Sequence, residues 1–137
     1  MAPVHQRIGA TALDELEHLN RHRGLISAIY ARVLDHKIRS AENSPPFLRF
    51  PVLVDNQNLA GQLMQLGVRR LYPRALCDLE ALQPKLAPGK AKTPGAQDIA
   101  RRLVTLPTHT KVDVTMAQRI VGEVQKVFEE IEIIERK

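Results

Sequence analysis

The sequence predicts an α+β fold in which helices, the longest at either end of the chain, flank a small sheet of about three short strands. Two patterns point there. Apolar residues recur at three- and four-residue steps towards both ends, as amphipathic helices require. The middle holds short runs rich in β-branched and aromatic residues that stop at prolines, which suits strands. With 137 residues, 44% of them hydrophobic and 26% charged, the chain is long enough to bury its own core, and residues 1–137 read as one domain.

The first helix is expected over Thr11 to Leu34, where Leu13, Leu16, Leu19, Ile26, Ile29, Tyr30, Val33 and Leu34 form one stripe. Gly24 interrupts it at a cost of about 1 kcal/mol relative to Ala. Ser44-Pro45-Pro46 then forces the backbone out of helical geometry. Phe47 to Val54 reads as a strand, with Pro51 placing it at an edge or bulge. Asp55 and Asn56 offer an N-cap to a helix carrying Leu59, Leu63, Met64 and Leu66, which stops at Gly67. Val68 to Tyr72 reads as a second strand, closed by Pro73. Leu76, Leu79 and Leu82 allow a turn or two of helix, and Ala87 to Gly95 is a loop by composition. Gly95 to Arg102 reads as a short helix and Leu103 to Leu106 as an extended run ending at Pro107. Asp113 caps the last helix, whose stripe is Val114, Ala117, Ile120, Val121, Val124 and Phe128. The pattern is α+β rather than doubly wound.

Composition narrows the function classes. No stretch approaches the roughly 18 uncharged apolar residues of a membrane span. Asp14, Glu15 and Glu17 are wrong for a signal or transit peptide, so a cytoplasmic protein with no membrane partner is expected. The one cysteine, Cys77, has no internal partner for a disulfide, in keeping with a reducing compartment. His18 and His22 stand one helical turn apart but lack the intervening Glu and the third ligand of a zinc helix, so they read as a solvated face and no metal site is expected. The net charge of +5 rests partly on Arg21/Arg23, Arg69/Arg70 and Arg101/Arg102, with Lys85, Lys90 and Lys92, which could line a phosphate-binding surface. The aromatics Tyr30, Tyr72, Phe47, Phe50 and Phe128 do not interleave with these cations as a stacking platform would, so nucleic acid is not the expected partner. Glu129, Glu130, Glu132 and Glu135 read as a solvated helix end. No Gly-rich phosphate cradle or catalytic constellation stands out.

The order of the segments adds what no single motif gives. Leu13 to Arg23, then Ala28 to Leu34, the strand from Leu48 to Val54, the run Leu66 to Pro73 ending in Tyr-Pro, and Gly95 to His109 ending in Leu-Pro-Thr-His together resemble the carboxy-terminal small domain of the DegT/StrS-type sugar aminotransferases. The likeness spans Leu13 to Phe128. It implies the small-domain fold of a fold-type I aminotransferase, which covers one side of the active-site cleft, with the loop after the second strand near a nucleotide sugar. Tyr72 is the implied substrate-side contact, with Arg74 as a partner for a phosphate oxygen. His109 is either a third substrate-side residue or the group that orders its turn.

The complete enzymes use pyridoxal phosphate, held in a preceding large domain by a lysine and by an aspartate facing the ring nitrogen. None of Lys37, Lys85, Lys90, Lys92, Lys111, Lys126 and Lys137 stands in such a context, so no cofactor and no catalytic residue are expected in this chain. It reads as a truncated or stand-alone small domain, not catalytic alone. Two alternatives stand beside this: one half of a split enzyme acting with a separate cofactor-binding chain, and a small basic nucleic-acid module. A small domain without its large domain leaves apolar surface uncovered, so self-association or a separate large-domain chain is the expected partner, with the patch on the first and last helices.

Overall fold

A computed structural model describes residues 3–34, 45–54, 59–85 and 93–135. Four α-helices and two strands follow in the order α1 (Pro3–Leu34), β1 (Arg49–Leu53), α2 (Leu59–Gln62), α3 (Pro94–Arg102), β2 (Leu103–Pro107) and α4 (Val114–Glu135). Between α2 and α3 lie 3-10 turns at Met64–Leu66, Leu76–Asp78 and Glu80–Lys85. The chain divides into two compact units, one of Met1–Phe50 with Pro107–Gln125, the other of Pro51–Leu106 with Lys126–Lys137.

In the first unit, α1 turns Ile26, Ser27, Tyr30 and Leu34 inward, the i, i+4 spacing that stacks side chains on one face. The Tyr30 ring meets Phe50 at 5.5 Å, and Phe47 meets Phe50 edge-on at 5.7 Å. These contacts add to the area the rings bury. On α4 the inward stripe is Ala117, Ile120, Val121 and Val124, as its sequence predicts, whereas Val114, expected on the same stripe, is exposed. Asp113 caps that helix, its Oδ1 accepting the Met116 amide at 2.7 Å.

The two strands make a two-stranded sheet. The Val54 amide donates to the Arg102 carbonyl at 2.9 Å, while Thr108 stands 2.7 Å from the Phe47 and Leu48 carbonyls. The two strands thus run in opposite directions. The sheet is smaller than the expected three strands. Val68 to Tyr72 supplies only one antiparallel bridge, Arg69 to Thr105. Val68 is buried, but Leu71 and Tyr72 turn out to solvent, and Pro73 has no amide with which to continue a ladder.

In the second unit Val52, Val54, Leu63, Val68, Val104 and Leu106 are buried, and Ala75, Cys77 and Ala100 form a smaller buried cluster. The helix expected through Leu66 is one α-turn followed by a 3-10 turn. Gly67 stops it in the left-handed region at φ 81°, its amide returning to the Met64 carbonyl. The expected cap residues Asp55 and Asn56, like most of the loop from Ala87, lie outside the described residues.

The expected apolar patch is differently placed. On α1, Leu13 and Leu16 are exposed, while on α4, among the described side chains, the stripe is buried apart from Val114, and Val114 and Met116 at its start are open. Further exposed apolar residues lie elsewhere, including Leu48, Met64, Leu71, Tyr72 and Leu76.

Candidate functional site

Tyr72 and Arg74 stand on one exposed segment, residues 71–74, of the second unit. Its upstream end is fixed by the paired backbones of Arg69 and Thr105, with N–H to carbonyl distances of 3.0 and 2.8 Å, and by the Thr105 hydroxyl donating to the Arg69 carbonyl at 3.2 Å. The Arg69 guanidinium turns back onto the Met64 and Val68 carbonyls at 2.6 and 2.9 Å, closing the turn at Gly67. Arg70 reaches the Ala100 carbonyl at 3.5 Å. At the downstream end Ala75 and Cys77 are buried. Tyr72 itself is 57% exposed, and among the described residues neither its hydroxyl nor the Arg74 guanidinium has a hydrogen-bond partner.

His109 belongs to the first unit, with its side chain exposed. Its carbonyl accepts the Val112 amide at 2.9 Å and lies 3.3 Å from His22 Nε2. His22 is therefore half-buried against this turn, whereas His18 is exposed as expected. The turn is also held from behind: the Tyr30 hydroxyl donates to the Pro107 carbonyl at 2.9 Å, and Thr108 is fully buried. Burial pushes the Tyr30 phenol well above the ordinary tyrosine value, against the pull of the nearby Arg49 charge.

The arginine pairs are largely engaged within the protein. Arg101 and Arg102 reach Asp98 at 2.8 and 3.1 Å, and the hydrogen bonds from Arg102 and then Arg101 hold the Asp98 carboxyl below its usual range. Among the described residues no group of three or more His, Cys, Asp or Glu could hold a metal ion, and no helix is long and apolar enough to cross a membrane.

Comparison with known proteins decides the family. The sequence model of the DegT/DnrJ/EryC1/StrS aminotransferase family matches residues 1–125. The chain belongs to this family. Among solved structures, S. venezuelae DesV in complex with a ketimine intermediate superposes with a TM-score of 0.69 and 21% identity, over 83% of this chain and 33% of that one. A DegT DnrJ EryC1 StrS aminotransferase from Brucella abortus gives 0.64 and 21%, over 78% of this chain and 30% of that one. At such identity these structures speak for the fold, and the chain spans about a third of their length. No curated protein sequence matches significantly.

The DegT/DnrJ/EryC1/StrS family works in general with pyridoxal phosphate, which needs a lysine amine facing a sheltered pocket and a carboxylate opposite the ring nitrogen. Lys85, Lys111 and Lys126 are exposed. Asp78 is bound by Gln97, Asp98 by its arginines, and Asp113 caps α4. The described residues do not fit that cofactor. Lys37, Lys90, Lys92 and Lys137 lie outside them.

Two features of this region were invisible in the sequence. Asp78 and Gln97 are 19 residues apart, yet the Gln97 amide donates to the Asp78 carboxylate at 2.6 Å. The Thr93 hydroxyl, at the N-cap of α3, donates to Cys77 Sγ at 3.0 Å rather than capping its helix. No local pattern announces either pair.

Proposed function

We propose that this chain is the small domain of a nucleotide-sugar aminotransferase, that it presents Tyr72 and Arg74 to the nucleotide sugar, and that it does not catalyse alone. The observation that carries this is the family match across residues 1–125, in a fold that coincides with about a third of solved aminotransferases. The exposed segment 71–74 supports the assignment of the substrate-side surface. Its aromatic face and its cation have no internal partners among the described residues. A guanidinium forks onto two oxygens of a phosphate, and a tyrosine offers an apolar face with a polar edge. His109, exposed on the first unit, is a separate candidate contact in this reading. Pyridoxal phosphate would supply the electron sink for moving an amino group, and the residues of this chain orient the substrate instead.

The second reading, one half of a split enzyme acting with a cofactor-bearing chain, is favoured by Leu16. At about 3.6 residues per turn it lies five whole turns before Leu34 on the same line of α1, yet Leu16 is 44% exposed and Leu34 sealed. An apolar stripe left open in this way suits a covering partner.

Titration of the purified chain with uridine and deoxythymidine diphosphate sugars tests the main reading. Binding that weakens about ten-fold or more in Arg74→Ala, the loss of a charge-assisted contact, is the expected result. Failure of the native chain to bind either sugar removes the substrate-side assignment. Amino transfer by the chain alone, supplied with pyridoxal phosphate, an amino donor and a keto-sugar acceptor, removes the non-catalytic one.

A further inference from the structure

We propose that Gln97 is a positioning residue for Tyr72 and Arg74, an inference that rests on reading segment 71–74 as a substrate-side surface. Leu71, Tyr72, Pro73 and Arg74 are all exposed, and among the described residues none of their side chains is held by a hydrogen bond. The pose of the segment is therefore set at its ends and by the fixed φ of Pro73.

Both ends close on α3. Upstream, Arg70 donates to the carbonyl of Ala100 near the end of that helix. Downstream, Ala75 and Cys77 are buried with the Ala100 side chain. At the residue after Cys77, Asp78 accepts the 2.6 Å bond from Gln97 Nε2, and the same carboxylate oxygen lies 3.7 Å from Cys77 Sγ. The Gln97 amide donates to the Thr93 carbonyl at 3.0 Å, so its side chain leaves the first turn of a regular helix. A hydrogen bond to a carboxylate is stronger and shorter than a neutral one. Here it fixes the 3-10 turn Leu76–Asp78, and with it the exit of the 71–74 segment, to the helix. Thr93 gives up its capping role for a bond to Cys77, a second tie between the same two pieces.

The test compares Gln97→Met, similar in shape but without the donor, with Asp78→Asn, which keeps an acceptor oxygen. Trypsin cleavage between Arg74 and Ala75 reports the loop, cleavage between Arg119 and Ile120 in α4 reports global opening, and the ring signals of Tyr72 report its surroundings. Gln97→Met is expected to speed the first cleavage about ten-fold, the ratio given by loss of one such bond. It should leave the second unchanged and move the Tyr72 ring signals towards those of an unstructured peptide. Asp78→Asn, which keeps an acceptor oxygen but loses the charge, should fall between the native protein and Gln97→Met. Native-like resistance in Gln97→Met, equal acceleration at both sites, or equal lability in the two variants would overturn the proposal. None of these measurements uses a sugar, so the two failures are distinguishable: loss of nucleotide-sugar binding would remove the substrate-side role of the segment, and native-like cleavage in Gln97→Met would remove the hold of Gln97 on its pose.

Discussion

Tyr30 joins α1 to a turn 77 residues away, its hydroxyl donating to the Pro107 carbonyl from full burial. Removing the hydroxyl leaves that carbonyl buried without this donor, which costs about 1–3 kcal/mol. Tyr30→Phe should therefore lower the free energy of urea unfolding by that amount while leaving the helical circular dichroism intact. The phenol also makes an alkaline limit. Its pKa is raised in the folded state, so its contribution is complete below the ordinary tyrosine value of about 10 and fades as pH rises towards the folded value. Native protein should lose stability above that pH more steeply than Tyr30→Phe, measured by urea midpoints. Asp98 has the opposite sign. Its carboxyl is held below the ordinary range by Arg102 and Arg101, so whatever it contributes is present at neutral pH and fades only as pH falls through the folded value. The Asp98 side chain is only partly exposed, and the direct check is its carboxyl titration by NMR, with a midpoint below the ordinary aspartate value expected. The sequence placed Tyr30 on a core stripe correctly. It had no means of naming Pro107, because a hydroxyl's partner is set by tertiary packing and not by period.

At the scale of elements, the long helices were legible because their stripes repeat many times, so one odd residue does not break the pattern. Gly24 is such a residue. A Cβ there, or at Gly122 in α4, would meet nothing within 4 Å, so Gly24→Ala and Gly122→Ala should each raise stability by about 0.5–1 kcal/mol in chemical denaturation. Gly67 differs. Its φ of 81° lies where a Cβ is strained, and Gly67→Ala should lower the melting temperature by a few degrees, about 1 kcal/mol of strain. The second expected strand was the element misread. Val68-Arg-Arg-Leu-Tyr has strand composition, but β propensity describes a half-buried pleated surface. Here only Val68 is buried, while Leu71 and Tyr72 face solvent. The short helices of the middle were likewise read only as helical, since 3-10 and α turns share one spacing over so few residues.

For the molecule as a whole, the family was legible from the sequence because several weak segments occur in one order, and order survives where single motifs fade. The resemblance named Tyr72 and Arg74 as candidates, and both stand exposed on one segment, but the supports Gln97, Asp78 and Thr93 were not legible, since their pairing is made by the fold. The position of the uncovered apolar surface was half legible: α1 carries it at Leu13 and Leu16, and among the described side chains of α4 it is confined to Val114 and Met116. Because both leucines are already open to solvent, the double change Leu13→Glu with Leu16→Glu should alter unfolding free energy by no more than about 0.5–1 kcal/mol. If that stripe mediates association, the same change should reduce light scattering at high protein concentration. A large loss of stability in the double variant would show instead that α1 needs those side chains to hold its own fold.

The chain holds no tryptophan and only two tyrosines, one sealed in the interior and one open to solvent. Its ultraviolet emission therefore comes from two sites that a collisional quencher such as acrylamide will tell apart. Emission that resists the quencher follows the interior during unfolding, and emission that yields to it watches the surface when a ligand arrives. Both questions can be asked of the unlabelled polypeptide.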